Sequence, residues 1–170
     1  SLGAHALVAA WAGADRTAPL VLVMPAWTGA PGQVAGATAA AADDLALRGR
    51  DAVLASLATD PRTRDDWVRE ELAAAWSAYD DGTLVAALRA ASTSPGPTSD
   101  QLARVRSPTA LVALADDPLH PEAVAREWAR TIPRAVLRVV ARRAPDHARD
   151  ALGTAAAEAL EELLGVSGSR

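Results

Sequence analysis

The sequence predicts an α/β fold in which three parallel strands with flanking helices are interrupted by an all-helical insert. Two observations lead to this prediction. Three short apolar runs have the composition of strands buried in a parallel sheet, and the segments between them have helical spacing. Strands that alternate with helices are typical of right-handed crossovers over a parallel sheet. The runs cover residues 18–25, 109–114 and 135–140.

Composition excludes several kinds of site and partner. The chain has 170 residues, of which 50% are hydrophobic and 22% charged, a balance typical of a globular domain. Cysteine is absent, which excludes disulfides, thiolate metal sites and a cysteine nucleophile. The 17 basic residues are all arginine, lie scattered and face 21 acids, so we expect no nucleic-acid partner. No apolar run is long enough to span a bilayer.

The chain begins at Ser1 without an initiator methionine, and three strands make a small sheet, so we expect it to be part of a longer protein. Earlier residues could carry a signal peptide, which leaves the location open, although the cytoplasm is favoured. An isolated chain of this kind is predicted to have marginal activity at most. It is also predicted to associate with itself through an exposed sheet edge or face.

The first half predicts a helix, a strand and then only helices. The opening helix covers residues 3–14, and the strand that follows is bounded by prolines and has the look of one buried on both faces. A later helix is expected to start at Thr63, with Asp66 in a variant of the capping box. The turn-rich segment 92–99 is read as a linker. Predicted domain limits are 1–32 for the first helix and strand, 33–98 for the helical insert, and 99–170 for the remaining α/β part.

The second half predicts a short helix, two strands and two longer helices. Pro121 is expected at the start of a helix, where proline is well tolerated. The last helix carries apolar residues on one face and is expected to stop at Gly165. The expected helices cover residues 100–105, 122–131 and 149–164.

Polar side chains that could do chemistry follow the predicted strands. Ligands of open α/β sheets bind at the carboxyl ends of the strands, so these are the positions to inspect. A hydroxyl, several carboxylates and imidazoles lie there, in the chain order serine, aspartate, histidine. The candidates are Ser1, Asp116, Asp117, His120, Arg142, Arg143, Asp146 and His147.

Ser1-Leu2-Gly3 before a helix, a helical insert, and Asp116-Asp117-Pro118-Leu119-His120-Pro121 after a strand occur in that order. This arrangement resembles the carboxyl-terminal half of the α/β-hydrolases, whose nucleophile lies in a Gly-x-Ser-x-Gly turn between strand and helix. The resemblance implies that Ser1 is the nucleophile, Asp117 the triad acid and His147 the general base. It also implies that the N–H of Leu2 contributes to the oxyanion hole and that the insert is the cap.

A serine hydroxyl needs an imidazole to take its proton, and that imidazole needs a carboxylate to fix its tautomer. The helix after Ser1 would favour a developing oxyanion through its positive end. The resemblance therefore implies acyl transfer to water on an ester or related small acyl substrate, without a cofactor or a metal. Two alternatives stay open: a non-catalytic fragment or interaction module, and a cap-bearing relative that cleaves carbon–carbon bonds.

Several candidates also have a plainer interpretation. The plainer interpretation of Ser1 is a helix N-cap, and Asp116 is the alternative acid. His147 could be a solvated loop residue, while His120 is expected to cap a helix or line the pocket. His5 is expected to be packed in the first helix or half exposed. A zinc site formed by Asp116, His120 and His147 is the least favoured alternative. The tryptophans at 11, 27, 67, 76 and 128 are expected to pack the core and the cap.

Overall fold

The computed structural model describes residues 2–60, 67–142 and 148–165. Within them, the predicted α/β class with three parallel strands is confirmed. The predicted helix start with Thr63 and Asp66 lies outside the described residues. In chain order the elements are α1 Leu2–Trp11, β1 Leu20–Val23, α2 Gln33–Arg48, α3 Arg50–Thr59, α4 Trp67–Ser77, α5 Asp81–Thr93, α6 Ser99–Ala103, β2 Thr109–Ala115, α7 Glu122–Thr131, β3 Ala135–Ala141 and α8 Ala148–Leu164.

The sheet has the order β1-β2-β3, and both pairings are parallel. In register, Leu20 pairs with Thr109, and Thr109 pairs with Ala135. Because all three strands run the same way, their carboxyl ends lie at one edge of the sheet. The residues that follow the strands, where the sequence predicts the site, therefore meet at that edge.

Apolar side chains cover both faces of the sheet. On one face, α1, α6 and α7 pack against β1 and β2, and Trp128 at the centre of this cluster is fully buried. On the other face, α8 packs against the sheet through small residues, Ala155 and Ala156, which contact Val112. Small alanines let the helix backbone approach the sheet closely. The central strand β2 is consequently buried along nearly its whole length.

β1 differs from its sequence-based description. The apolar run predicts a strand buried on both faces, but of the four residues of β1 only Leu20 and Leu22 are buried, and Val21 is 38% exposed. The reason is the position of the strand: within the described residues β1 is an edge strand. Helix α8 packs chiefly on β2 and β3 and only slightly on β1. The side of β1 that carries Val21 is therefore less covered.

Residues 35–94 form a compact unit of their own, and residues 1–34 with 95–170 form the other. The helical unit has its own core, made by Leu45, Val53, Trp76 and Leu84. Arg50 completes the end of α4: its Nη1 donates to the carbonyl oxygens of Trp76 and Tyr79, at 3.1 and 2.7 Å. These bonds tie Arg50 to a carbonyl in the last turn of α4 and to one in the segment that follows it. No helix in the described part of the chain is long and apolar enough to cross a bilayer.

The position of Gly96 is expected not to tolerate a side chain. Its N–H donates to the carbonyl of Gly29 at 2.7 Å, and a Cβ at this position would lie 2.6 Å from the carbonyl oxygen of Trp27. Backbone must shift to make room, so we expect Gly96→Ala to lower the free energy of unfolding by about 1–3 kcal/mol. Chemical denaturation monitored by tryptophan fluorescence measures this.

Gly32→Ala is the matched control, because nothing lies within 4 Å of a Cβ built at Gly32. Equal stability of the Gly96→Ala variant and the wild type would contradict the close approach.

Candidate functional site

Two non-glycine residues with left-handed backbone mark the carboxyl edge of the sheet. Met24, directly after β1, has a φ of 51°, and Asp116, directly after β2, has a φ of 56°. This conformation costs about 1–3 kcal/mol per residue, and such strain clusters at functional sites. Here it turns the chain sharply as each strand ends. The segments that follow β1 and β2 carry most of the site described below.

The turn at Asp116 gives the two aspartates opposite environments. Asp116 is exposed, whereas Asp117 is buried, with 7% of its surface exposed. The Oδ1 atom of Asp117 accepts hydrogen bonds from the backbone N–H groups of Leu119, at 2.8 Å, and of His120, at 3.3 Å. These bonds fix the carboxylate within the turn that leads into α7. Of the two candidate acids, Asp117 is the one held in a defined position.

Two cationic or protonatable side chains contact the Asp117 carboxylate. Nδ1 of His120 lies 3.1 Å from Oδ2, and Nη1 of Arg142 lies 2.9 Å from Oδ1. Arg142 directly follows β3, so the contact joins the ends of two neighbouring strands. Burial alone would raise the pKa of Asp117. The hydrogen bonds from His120 and Leu119 and the charges of His120 and Arg142 outweigh burial and lower this pKa to about 2. Asp117 is therefore ionised at neutral pH.

His5 ties the first turns of α1 to the same region. Its Nε2 accepts a hydrogen bond from the N–H of Ala26 at 3.3 Å. Its ring packs edge-on against Trp27, with centroids 4.9 Å apart, and lies 5.5 Å from the ring of Trp128. Burial is the main cause that lowers the pKa of His5 to about 4. His5 is thus a packed, neutral imidazole, which agrees with the packed alternative of the sequence interpretation.

The structure describes only part of the predicted triad. Ser1 and His147 lie outside the described residues, as do Arg143 and Asp146. Leu2 is the first residue of α1 and is 38% exposed. Its N–H belongs to the first turn of the helix, where backbone donors have no partner within the helix. Asp117 is the predicted catalytic side chain whose contacts are known.

The predicted zinc site also depends on His147 and so lies partly outside the described residues. Among the residues that are described, no group of three or more histidines, aspartates and glutamates is arranged to hold a metal ion.

Sequence reasoning missed the contacts of His120 and Arg142 with Asp117. The sequence predicts that His120 caps a helix or lines a pocket, and it indicates only that Arg142 follows a strand. A signal was present for both. An aspartate three residues before a histidine at a helix entry can close on it, and Arg142 follows β3 at the edge where Asp117 follows β2.

Comparisons with known proteins bear on the fold. No family model matches the sequence, and no curated protein matches it. Solved structures do match. The α/β-hydrolase enzyme MGS-M2 from a Medee basin deep-sea metagenome is 13% identical, with a TM-score of 0.61 over 100% of this chain and 64% of that chain. The proposed non-heme bromoperoxidase BpoC from Mycobacterium tuberculosis H37Rv is 18% identical, with a TM-score of 0.56 over 85% of this chain and 58% of that chain.

This chain adopts part of the α/β-hydrolase fold. Rv0554 from Mycobacterium tuberculosis is a further match, with 18% identity and a TM-score of 0.52 over 85% of this chain and 56% of that one. The chain therefore spans less than two thirds of the length of each of these structures. At 13–18% identity the likeness concerns the α/β-hydrolase fold itself. It confirms the fold predicted from the residues around Ser1 and Asp117.

Proposed function

We propose that the full-length protein is a serine hydrolase that transfers an acyl group from an ester or related small substrate to water. Ser1 is the nucleophile, Asp117 the triad acid and His147 the general base. The N–H of Leu2 is one donor of the oxyanion hole. The observation that carries the proposal is Asp117: a buried carboxylate, kept ionised, in the turn that follows the central strand of an α/β-hydrolase fold.

The position of α1 supports the same proposal. His5, in the first turns of α1, contacts the loop after β1 and Trp128 of α7. Trp128 belongs to α7, the helix that follows the turn of Asp117, so the first turns of α1 pack against an element that continues from this turn. The N-terminus of a helix favours negative charge through its free N–H groups and its dipole. A tetrahedral intermediate formed at this end would have its oxyanion stabilised there.

The proposed reaction follows from these roles. The imidazole of His147 takes the proton of the Ser1 hydroxyl while the Ser1 oxygen attacks the carbonyl carbon of the substrate. The carbonyl oxygen becomes negatively charged and is stabilised by the N–H of Leu2. Collapse of the intermediate expels the alcohol, which receives the proton from the imidazolium, and leaves an acyl-serine. Water then attacks the acyl-serine with the same proton transfers and releases the acid. Asp117 stays ionised throughout and balances the imidazolium.

A second histidine competes for the role of the base. Nδ1 of His120 lies 3.1 Å from Asp117, the kind of contact that a triad acid makes with its imidazole. We assign the role of base to His147. His120 lies only three residues after Asp117, in the turn that precedes α7, so its hydrogen bonds to Asp117 are local and serve to fix the turn. In this assignment His120 is a positioning residue for the carboxylate.

Substitution of each histidine distinguishes the two assignments. We expect His147→Ala to lower kcat for ester hydrolysis by about 100-fold or more, the usual contribution of a general base. His120→Ala should lower kcat less, because the Asp117 carboxylate keeps its hydrogen bond from Leu119 and its contact with Arg142. Steady-state kinetics from pH 4 to 9 measures both. The opposite order of effects would make His120 the base.

Burst kinetics with p-nitrophenyl acetate tests the reaction class in the full-length protein. An acyl-enzyme predicts a rapid release of p-nitrophenol that is stoichiometric with enzyme, followed by slower turnover. The Ser1→Ala variant should lose the burst. A burst that survives in Ser1→Ala would contradict the nucleophile, and complete absence of ester turnover would favour a non-catalytic module or carbon–carbon bond cleavage.

A further inference from the structure

The outer edge of β3 has backbone groups that point away from the sheet. The N–H of Thr109 donates to the carbonyl of Arg134 at 2.7 Å, so Arg134 and every second residue after it direct their backbone groups at β2. Leu137 and Val139 therefore direct theirs outward. Within the described residues β3 ends the sheet on this side, and Val139 is 38% exposed. Such an edge can accept another strand.

Arg138 is the charged residue of β3, and its side chain lies beside this edge. Nη1 of Arg138 reaches back to within 3.5 Å of the carbonyl oxygen of Leu137, an outward-facing group. Nη2 of the same guanidinium donates to Oε2 of Glu162 in α8 at 2.5 Å. The Arg138 side chain is 34% exposed, so it is partly ordered by these contacts and still meets solvent. It also lines an open groove of about 540 Å³ between β3 and α8, which Asp150 and Glu158 border.

We propose that Arg138, held by Glu162, prevents the outer edge of β3 from pairing with the β3 strand of a second copy of this chain. Two copies related by a twofold axis would pair this strand with itself in antiparallel orientation. β3 covers Ala135–Ala141, and full overlap of the two strands centres the pairing on Arg138.

In this register Leu137 pairs with Val139 of the second copy, and Arg138 directly faces Arg138 of the second copy. Like charges in direct cross-strand positions are destabilising. The approaching strand would also have to displace the guanidinium from the carbonyl of Leu137. Both effects oppose the one register that uses the whole edge, and a charged side chain is a known way to protect an edge strand.

Site-directed cross-linking tests the proposal, and the absence of native cysteine makes the experiment clean. Val139→Cys in the full-length protein is treated with a short bis-maleimide, with Arg138 retained or replaced. Arg138→Ala should raise the yield of cross-linked dimer about fivefold, which corresponds to about 1 kcal/mol in association free energy. Arg138→Lys keeps the charge and should keep the yield low.

Two controls test whether the effect is specific to Arg138 and to the edge formed by β3. Arg126→Ala removes another paired surface arginine, the partner of Glu122, and should leave the yield at Val139→Cys unchanged. Val21→Cys reports on β1, at the other side of the sheet, and should not respond to Arg138→Ala. Equal yields in Arg138→Ala and Arg126→Ala would overturn the proposal. A rise of the same size at Val21→Cys would overturn it as well, since it would indicate general loosening of the fold.

Discussion

Asp117→Asn is expected to lower kcat for ester hydrolysis by about 10⁴-fold, the size of effect that follows when a triad acid loses its charge. The amide cannot balance an imidazolium, and its NH₂ group can hold the imidazole in the wrong tautomer. The amide oxygen can still accept the hydrogen bonds from Leu119 and His120, so the turn is expected to keep its shape. Steady-state kinetics, with circular dichroism to verify folding, measures the effect.

Asp116→Asn is the matched control, because it makes the same chemical change one residue away. Asp116 is exposed, and we expect its substitution to leave kcat within a few-fold of the wild type. Loss of turnover in Asp116→Asn alone would exchange the two assignments. Full activity in both variants would show that neither aspartate is a triad acid.

The free energy of unfolding is expected to fall by about 3 kcal/mol between pH 7 and pH 4 on account of His5 alone. In the folded protein the pKa of His5 is about 4, against an ordinary value of 6.5. Between these values the unfolded chain binds a proton that the folded protein does not, so stability decreases as the pH falls. Protonation would place an N–H of Nε2 against the N–H of Ala26, where a hydrogen bond now forms.

Replacing His5 isolates its share of this pH dependence. His5→Gln has no titratable group, so the difference in unfolding free energy between wild type and variant should shrink by about 3 kcal/mol from pH 7 to pH 4. Urea denaturation at a series of pH values measures it. Asp117 acts in a lower window: its contribution is present above pH 4 and is lost as the pH falls toward its pKa of about 2. If the unfolding free energies of wild type and His5→Gln differ by the same amount at pH 7 and pH 4, His5 is not a buried neutral imidazole.

Much of the fold was predictable because local signals agreed with one another. The three apolar runs became β1, β2 and β3, and helix α7 begins and ends where the sequence predicts. Gly165, with a φ of 66°, follows the last helix as expected. Coverage of the sheet was not predictable from an apolar run alone. Val21 is exposed because burial depends on which helix lies over the strand, and that is a property of the whole fold.

The sequence could indicate which polar residues follow the strands, and so which residues are candidates for the site. The turn that follows Asp117 favours it over Asp116 as the acid, and in the structure Asp117 is buried and Asp116 is exposed. The pairing of Asp117 with Arg142 depends on the register of two strands, which a linear pattern does not contain. The tautomer of His5 likewise depends on a contact with Ala26, 21 residues away.

Labelling with a fluorophosphonate probe tests the proposed nucleophile most directly. The probe reacts with a serine only when a base activates its hydroxyl. In the full-length protein we expect stoichiometric labelling at Ser1, identified by peptide mass spectrometry, and loss of labelling in Ser1→Ala and in His147→Ala. Unchanged labelling in these two variants, or no labelling of the folded wild type, would contradict the account.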